Sequence, residues 1–226
     1  MCGIVGYCGK KSAETVLLVG LKKLEYRGYD SAGIAVLDQG DLVVHKIRGK
    51  IDGLEALLKG QNLRGNVGIG HTRWATHGEP SKLNSHPHTN RQGSIAVVHN
   101  GIIENYLELK RELQSEGYIF ASFTDTEVIP HLVDKYLQEG FDLQTAFFHA
   151  IKRLEGKYAI GLVCDKEPEK VYFARNGNPL LIGRDKEKQE WLLASDIPAL
   201  VPIAKEYMYL SDEQWGVFSV EGIELY

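Results

Sequence analysis

Cysteine is scarce in this sequence and poorly placed for cross-linking. Cys2, Cys8 and Cys164 are an odd number, with neither a disulfide framework nor the paired spacing of a zinc site. A reducing compartment, the cytoplasm, is therefore the expected location. Long apolar runs are missing too: no uninterrupted stretch approaches the ~18 residues that a membrane helix needs, so no membrane partner is expected. A secretory signal is not expected either, because Lys10 and Lys11 follow the first apolar stretch instead of preceding it. Nor is there an excess of positive charge. The formal net charge is −4 with both signs interspersed, which argues against a nucleic-acid groove. Internal repeats, low-complexity segments and an interdomain linker are absent. With 43% hydrophobic content, 226 residues suffice for one domain with a substantial core, or for two small ones.

Several familiar catalytic signatures are also lacking. Gly28-Tyr29-Asp30-Ser31-Ala32-Gly33 has some likeness to a nucleophile elbow, but Ser31 stands three residues after Gly28 and a helix precedes where a strand should. Gly68-Ile69-Gly70 lacks the third glycine of a dinucleotide fingerprint. His71, His77, His86, His88 and His99 crowd the middle of the chain, yet no His-Glu-x-x-His helix occurs and no carboxylate stands at ligand spacing. These histidines are read as hydrogen-bonding groups of loops and core. No metal and no cofactor are expected.

What is present alternates in period. After an opening strand, Ser12 reads as an N-cap ahead of helically spaced Val16, Leu17, Leu21 and Leu24. Ala32 to Val36 and Leu42 to Ile47 flank Asp38-Gln39-Gly40-Asp41, a hairpin signal. Ile51 to Leu58 predicts a short helix closed by Gly60. Val67 to His71 and Ser94 to Val98 predict strands, separated by a long polar loop over Thr72 to Asn90. Asn105-Tyr106-Leu107-Glu108 and Thr124-Asp125-Thr126-Glu127 have the form of capping boxes, although Pro130 bends or displaces the start of the second helix. A third helix is expected over Asp142 to Leu154, then short strands at Tyr158 to Cys164, Val171 to Ala174, Leu180 to Ile182, Trp191 to Ala194, Met208 to Leu210 and Val217 to Tyr226. Strands, a helical block, then strands suggest a layered α+β fold in which helices cover packed sheets.

Four places could carry chemistry, and each has a plainer alternative. If Met1 is removed, Cys2 carries a free α-amine that titrates near neutrality beside its own thiol, an N-terminal nucleophile with a built-in base. The alternative is a small buried hydrophobe in a first strand. Arg73, at the end of an apolar strand, could present its planar fork to a carboxylate, with the following loop folding over the ligand; or it is a surface arginine beside a packed tryptophan. Asn100-Gly101 offers a side-chain N–H and an unobstructed backbone N–H suited to an oxyanion, or an ordinary Asn-Gly turn. Asp125 could face an ammonium group or merely complement a helix dipole.

Taken together, these stretches resemble one family. Met1-Cys2-Gly3-Ile4-Val5-Gly6 is similar to the start of the class II glutamine amidotransferases, which have the N-terminal-nucleophile hydrolase fold. Leu24-Glu25-Tyr26-Arg27-Gly28-Tyr29-Asp30-Ser31-Ala32-Gly33 and Gly70-His71-Thr72-Arg73-Trp74-Ala75-Thr76-His77-Gly78 resemble the glucosamine-6-phosphate synthase branch of that class. The likeness continues through Val98 to Asn105 and Thr124 to Glu127 as far as Ser195-Asp196. It implies a four-layer αββα sandwich with largely antiparallel sheets. It also implies a glutaminase domain over residues 2–226, with Met1 removed. Cys2 would be the nucleophile and its α-amine the base, and Asn100 with the Gly101 N–H would form the oxyanion hole. Arg73 would bind the glutamine α-carboxylate, and Asp125 and the Gly101 backbone the α-ammonium. Trp74, Thr76 and His77 would lie in the loop that closes over glutamine, with Arg27 supporting the N-terminus from behind. In that family further C-terminal isomerase domains bind fructose 6-phosphate and form a homodimer; they are not expected within this chain.

Overall fold

Alternation along the first strand sets the architecture. In β1 (Gly3–Cys8) every residue is buried, because successive side chains enter two different cores. Ile4 and Cys8 point one way, Val5 and Tyr7 the other. The computed structural model describes residues 2–74 and 81–226. After β1 come helix α1 (Ala13–Lys22), a 3-10 turn at Glu25–Arg27, and the hairpin of β2 (Ser31–Asp38) and β3 (Asp41–Arg48). Helix α2 (Ile51–Leu58) leads into β4 (Val67–Arg73), followed by the two-residue β5 (His88–Thr89) and the long β6 (Ile95–Ile103). Three helices follow, α3 (Tyr106–Ser115), α4 (Val128–Gln138) and α5 (Leu143–Lys152). The remainder is β7 (Gly156–Cys164), β8 (Val171–Asn176), β9 (Leu181–Asp185), β10 (Glu190–Ala194), β11 (Glu206–Tyr209), β12 (Trp215–Ser219) and β13 (Gly222–Leu225).

The strands form two antiparallel sheets, ordered β11-β9-β10-β1-β4-β2-β3 and β13-β12-β8-β7-β6-β5. Between them lies a core that includes Ile4, Ala35 and Ile69 from the first sheet and Val98, Ala159 and Phe173 from the second. Helices α1 and α2 cover the outer face of the first sheet over Val5, Ile34 and Leu192. Helices α3, α4 and α5 cover the second over Val97, Ile160 and Leu162. This is the four-layer αββα sandwich. At about 1.5–3 kcal/mol for each large apolar side chain fully buried, these three cores hold the fold without a cross-link. Cys8 packs between the sheets and Cys164 against the helices, both buried and free.

Most local expectations hold. The Ser12 side chain accepts from the Thr15 N–H at the start of α1, and Asp142 caps α5 in the same way through Thr145. Gln39 and Gly40 both have positive φ, the geometry of a two-residue hairpin turn. Other expectations need correction: the loop expected over Thr72 to Asn90 contains β5, and β6 runs beyond Val98 to Ile103. Asn105 makes no side-chain cap to α3; its amide instead donates to the Arg153 carbonyl and accepts from the Glu155 N–H, tying the segment to the end of α5. Glu127 does not close a capping box either. Its carboxylate accepts from the Ala121 and Ser122 N–H groups, and α4 starts at Val128 with Pro130 in its first turn, where a missing N–H costs nothing. The closing stretch is a hairpin, β12 and β13, not one strand.

Candidate active site

Antiparallel pairing brings the chemistry-bearing stretches to one end of the sandwich. Gly3 of β1 lies opposite Thr72 of β4, so Cys2 falls beside Arg73 and Trp74. Ser31 lies opposite Arg73 on the other flank of β4, which brings Arg27 to Asp30 alongside. Gly28 is a packing requirement there, since a Cβ at that position would stand 2.7 Å from the Arg73 carbonyl carbon. Strand β6 comes from the facing sheet and delivers Asn100 to the Cys2 backbone. The two arginine-bearing motifs are thus neighbours because β4 sits between β1 and β2.

The Cys2 thiol is half-buried. It accepts from the Trp74 N–H at 3.2 Å and lies 3.5 Å from the Trp74 carbonyl, to which it can donate. Burial pushes its pKa above the ordinary thiol value, opposed by the Trp74 N–H and by the charges of Arg73 and Arg27. A thiol held protonated in this way needs a base for attack. The Cys2 carbonyl accepts from Arg27 Nε and from Asn100 Nδ2, each at 3.0 Å. Arg27 is itself 2.9 Å from Asp196, and Ser195 exchanges hydrogen bonds with Ile4 through its Oγ and N–H. The Ser195-Asp196 pair therefore clamps the N-terminal strand and its supporting arginine.

Gly101 has φ +130°, and a Cβ there would come within 1.9 Å of the Lys157 carbonyl oxygen, so only glycine fits. The Asn178 side chain braces this bend by donating to the Asn100 carbonyl at 2.9 Å. Cys2, Arg27, Trp74, Asn100, Gly101, Ile102, Asn178 and Pro179 line a cavity of about 210 Å³. A larger groove of about 620 Å³ between α1 and α2 includes none of the residues that carry the motifs.

Arg73 and Asp125 are buried next to this cavity and do not line it. Burial draws the Arg73 pKa down, against the opposing pull of Cys2, Asp125 and Asp30. Asp125 is anchored by the Ile103 N–H at 2.8 Å, which fastens it to the end of β6. Thr76 and His77 lie outside the described residues.

His71, His86, His88 and His99 form a buried cluster. His71 and His86 stack with centroids 4.1 Å apart; His99 and His86 both reach the Thr126 hydroxyl, and His88 reaches Thr124. Burial lowers the pKa of all four, His71 to about 3, so they are neutral at physiological pH. They join β4 and β6 to the Thr124–Thr126 segment that carries Asp125. Sequence reasoning grouped these histidines but did not connect them to the site. It missed Asn178 altogether.

Two facing antiparallel sheets with helices on both outer faces, and Cys2 at one end of the first strand, are the architecture of the N-terminal-nucleophile hydrolase class. The family model described as "Glutamine amidotransferase domain" matches residues 71–202. The chain is 52% identical over all of its 226 residues to the glutamine–fructose-6-phosphate aminotransferase (isomerizing) of Clostridium acetobutylicum, and 50% identical over 219 residues to that of Pyrococcus horikoshii. It spans 36% of the length of each of these relatives. Among solved structures, the glutamine phosphoribosylpyrophosphate amidotransferase of B. subtilis superposes over all of this chain and 49% of its own, with a TM-score of 0.83 and 29% identity. The chain belongs to the glutamine amidotransferase domain family. No helix among the described residues is long and apolar enough to cross a membrane.

Proposed function

We propose that residues 2–226 form a glutaminase domain that hydrolyses the side-chain amide of L-glutamine to glutamate and ammonia through a Cys2 thioester. The observation that carries this reading is the cavity that Cys2 shares with Asn100 and Gly101, with the Asn100 amide held against the Cys2 carbonyl and Arg73 and Asp125 buried nearby. With Met1 removed, the α-amine takes the thiol proton and the thiolate attacks the amide carbon. Asn100 Nδ2–H and the Gly101 N–H stabilise the oxyanion, each such donor being worth about 3–4 kcal/mol of barrier. The protonated amine then passes its proton to the leaving nitrogen and ammonia departs. Water hydrolyses the thioester.

Arg73 offers a planar charge for the substrate α-carboxylate. Asp125 and the Gly101 backbone suit the α-ammonium, Trp74, Thr76 and His77 belong to the loop over the ligand, and Arg27 holds the N-terminus. Recognition of both α-carbon charges fixes the distance to the scissile amide. L-glutamine should therefore release glutamate and ammonia in equal amounts, while L-asparagine, one methylene shorter, should give less than about 1% of that rate. Comparable turnover of asparagine would contradict this positioning. The longer relatives suggest the use of the ammonia: further C-terminal isomerase domains binding fructose 6-phosphate, dimeric and cytoplasmic, would consume it in glucosamine 6-phosphate synthesis.

A further inference from the structure

His71 stands behind the oxyanion donor, and its hydrogen bonds determine which way that donor points. Its Nε2 lies 3.1 Å from the His99 carbonyl oxygen and 3.0 Å from Asn100 Oδ1. A backbone carbonyl can only accept, so Nε2 must carry the proton. Asn100 must then turn its oxygen toward His71. On the other side, Asn100 Nδ2 faces the Cys2 carbonyl at 3.0 Å, again an acceptor. The reversed amide would set N–H against N–H at His71 and oxygen against oxygen at Cys2. Two acceptors at opposite ends therefore admit one orientation of the amide.

We propose that His71 is a positioning residue for glutamine hydrolysis: its Nε2–H locks the Asn100 amide with the NH2 group on the Cys2 side, against the Cys2 carbonyl. This rests on the reading of Asn100 as an oxyanion donor. One Nδ2 hydrogen is engaged by the Cys2 carbonyl, and the other remains for the oxyanion. Donation to Oδ1 also polarises the amide and strengthens its N–H groups as donors, an effect enhanced by the low dielectric of a buried site. The imidazole is fully buried and stacked on His86, so it cannot rotate away without breaking the cluster.

A double-mutant cycle tests this. His71→Leu removes the donor at similar volume, and His71→Gln keeps an amide N–H near the Nε2 position. In His71→Leu, kcat for glutamate release should fall about 10- to 100-fold with KM for glutamine changed less than about threefold, because the Ile103 N–H that anchors Asp125 stays in place and leucine fills the imidazole's space against His86. His71→Gln should recover most of the loss. Added to Asn100→Ala, His71→Leu should cost nothing further, since the group it orients is gone.

Normal kcat in His71→Leu would overturn the proposal. So would a full additional loss on top of Asn100→Ala, which would make His71 independent of Asn100. If His71→Leu does not fold, His71→Gln decides alone: a glutamine variant as stable as the parent but at least ten times slower contradicts a role met by one N–H donor. A wild-type rate in Asn100→Ala is a different failure, of the oxyanion reading beneath it.

Discussion

Replacing Cys2 by alanine should abolish glutamate release from L-glutamine, with kcat reduced by about 10⁴-fold or more. The size of the effect follows from what is lost. Without the thiol there is no thioester, and water would have to attack an unactivated amide held in a cavity of about 210 Å³. The protein itself should survive. Cys2 belongs to none of the three cores, and its thiol bonds described here involve only the Trp74 backbone. Thermal unfolding of Cys2→Ala should lie within a few degrees of the parent, so the lost rate reports chemistry. A variant that kept even a tenth of the parental rate would show that the nucleophile lies elsewhere.

The second large effect needs no change to the thiol. A single residue left in front of Cys2 converts its amine into a peptide nitrogen, which has no available lone pair. General bases of this kind contribute about 10²- to 10⁴-fold, and burial has already raised the thiol pKa, so kcat should fall by that factor. Intact mass identifies which form is present, and aminopeptidase treatment of the blocked form should restore the rate. An N-terminally extended protein with full activity would remove the α-amine from the mechanism. Among the described residues His71 is no ready substitute: it is committed through Nε2 to Asn100 and the His99 carbonyl, and its pKa is drawn down to about 3.

Much of the secondary structure was legible because it depends on neighbours in sequence. Helical spacing of Val16, Leu17 and Leu21 behind Ser12 defined α1, and Ile51 to Leu58 matched α2. Errors arose where a local signal serves a distant partner. Asn105 and Glu127 have the residue types of caps, yet their polar groups are taken by the Arg153–Glu155 and Ala121–Ser122 backbones. Strand β6 runs past Val98 to Ile103 because pairing with β7 tolerates the positive φ of Gly101. A turn signal thus became a bend inside a strand.

The site divides in the same way. Cys2, Arg73, Asn100, Gly101 and Asp125 stood out as candidates for their chemistry, but each kept a plainer alternative until the family resemblance joined them. The contact of Asp196 with Arg27, the bracing by Asn178 and the role proposed for His71 did not stand out, because they depend on whichever element the sheet order places beside them. Asp196 depends on β10 pairing with β1, and His71 on β4 facing β6 across the inter-sheet core.

The most direct measurement is covalent trapping. A glutamine analogue with an electrophile in place of the side-chain amide should be incubated with the protein and the adduct located by peptide mass mapping. The three thiols differ in access: Cys2 is half-buried and lines the cavity, whereas Cys8 and Cys164 are buried, with pKa values pushed by burial up to about 12 and about 11. The expected result is one adduct per chain, on the N-terminal peptide at Cys2, forming in step with the loss of glutamate release and prevented by excess L-glutamine. Inactivation with the label on Cys8 or Cys164, or labelling of Cys2 with undiminished turnover, would contradict Cys2 as the nucleophile.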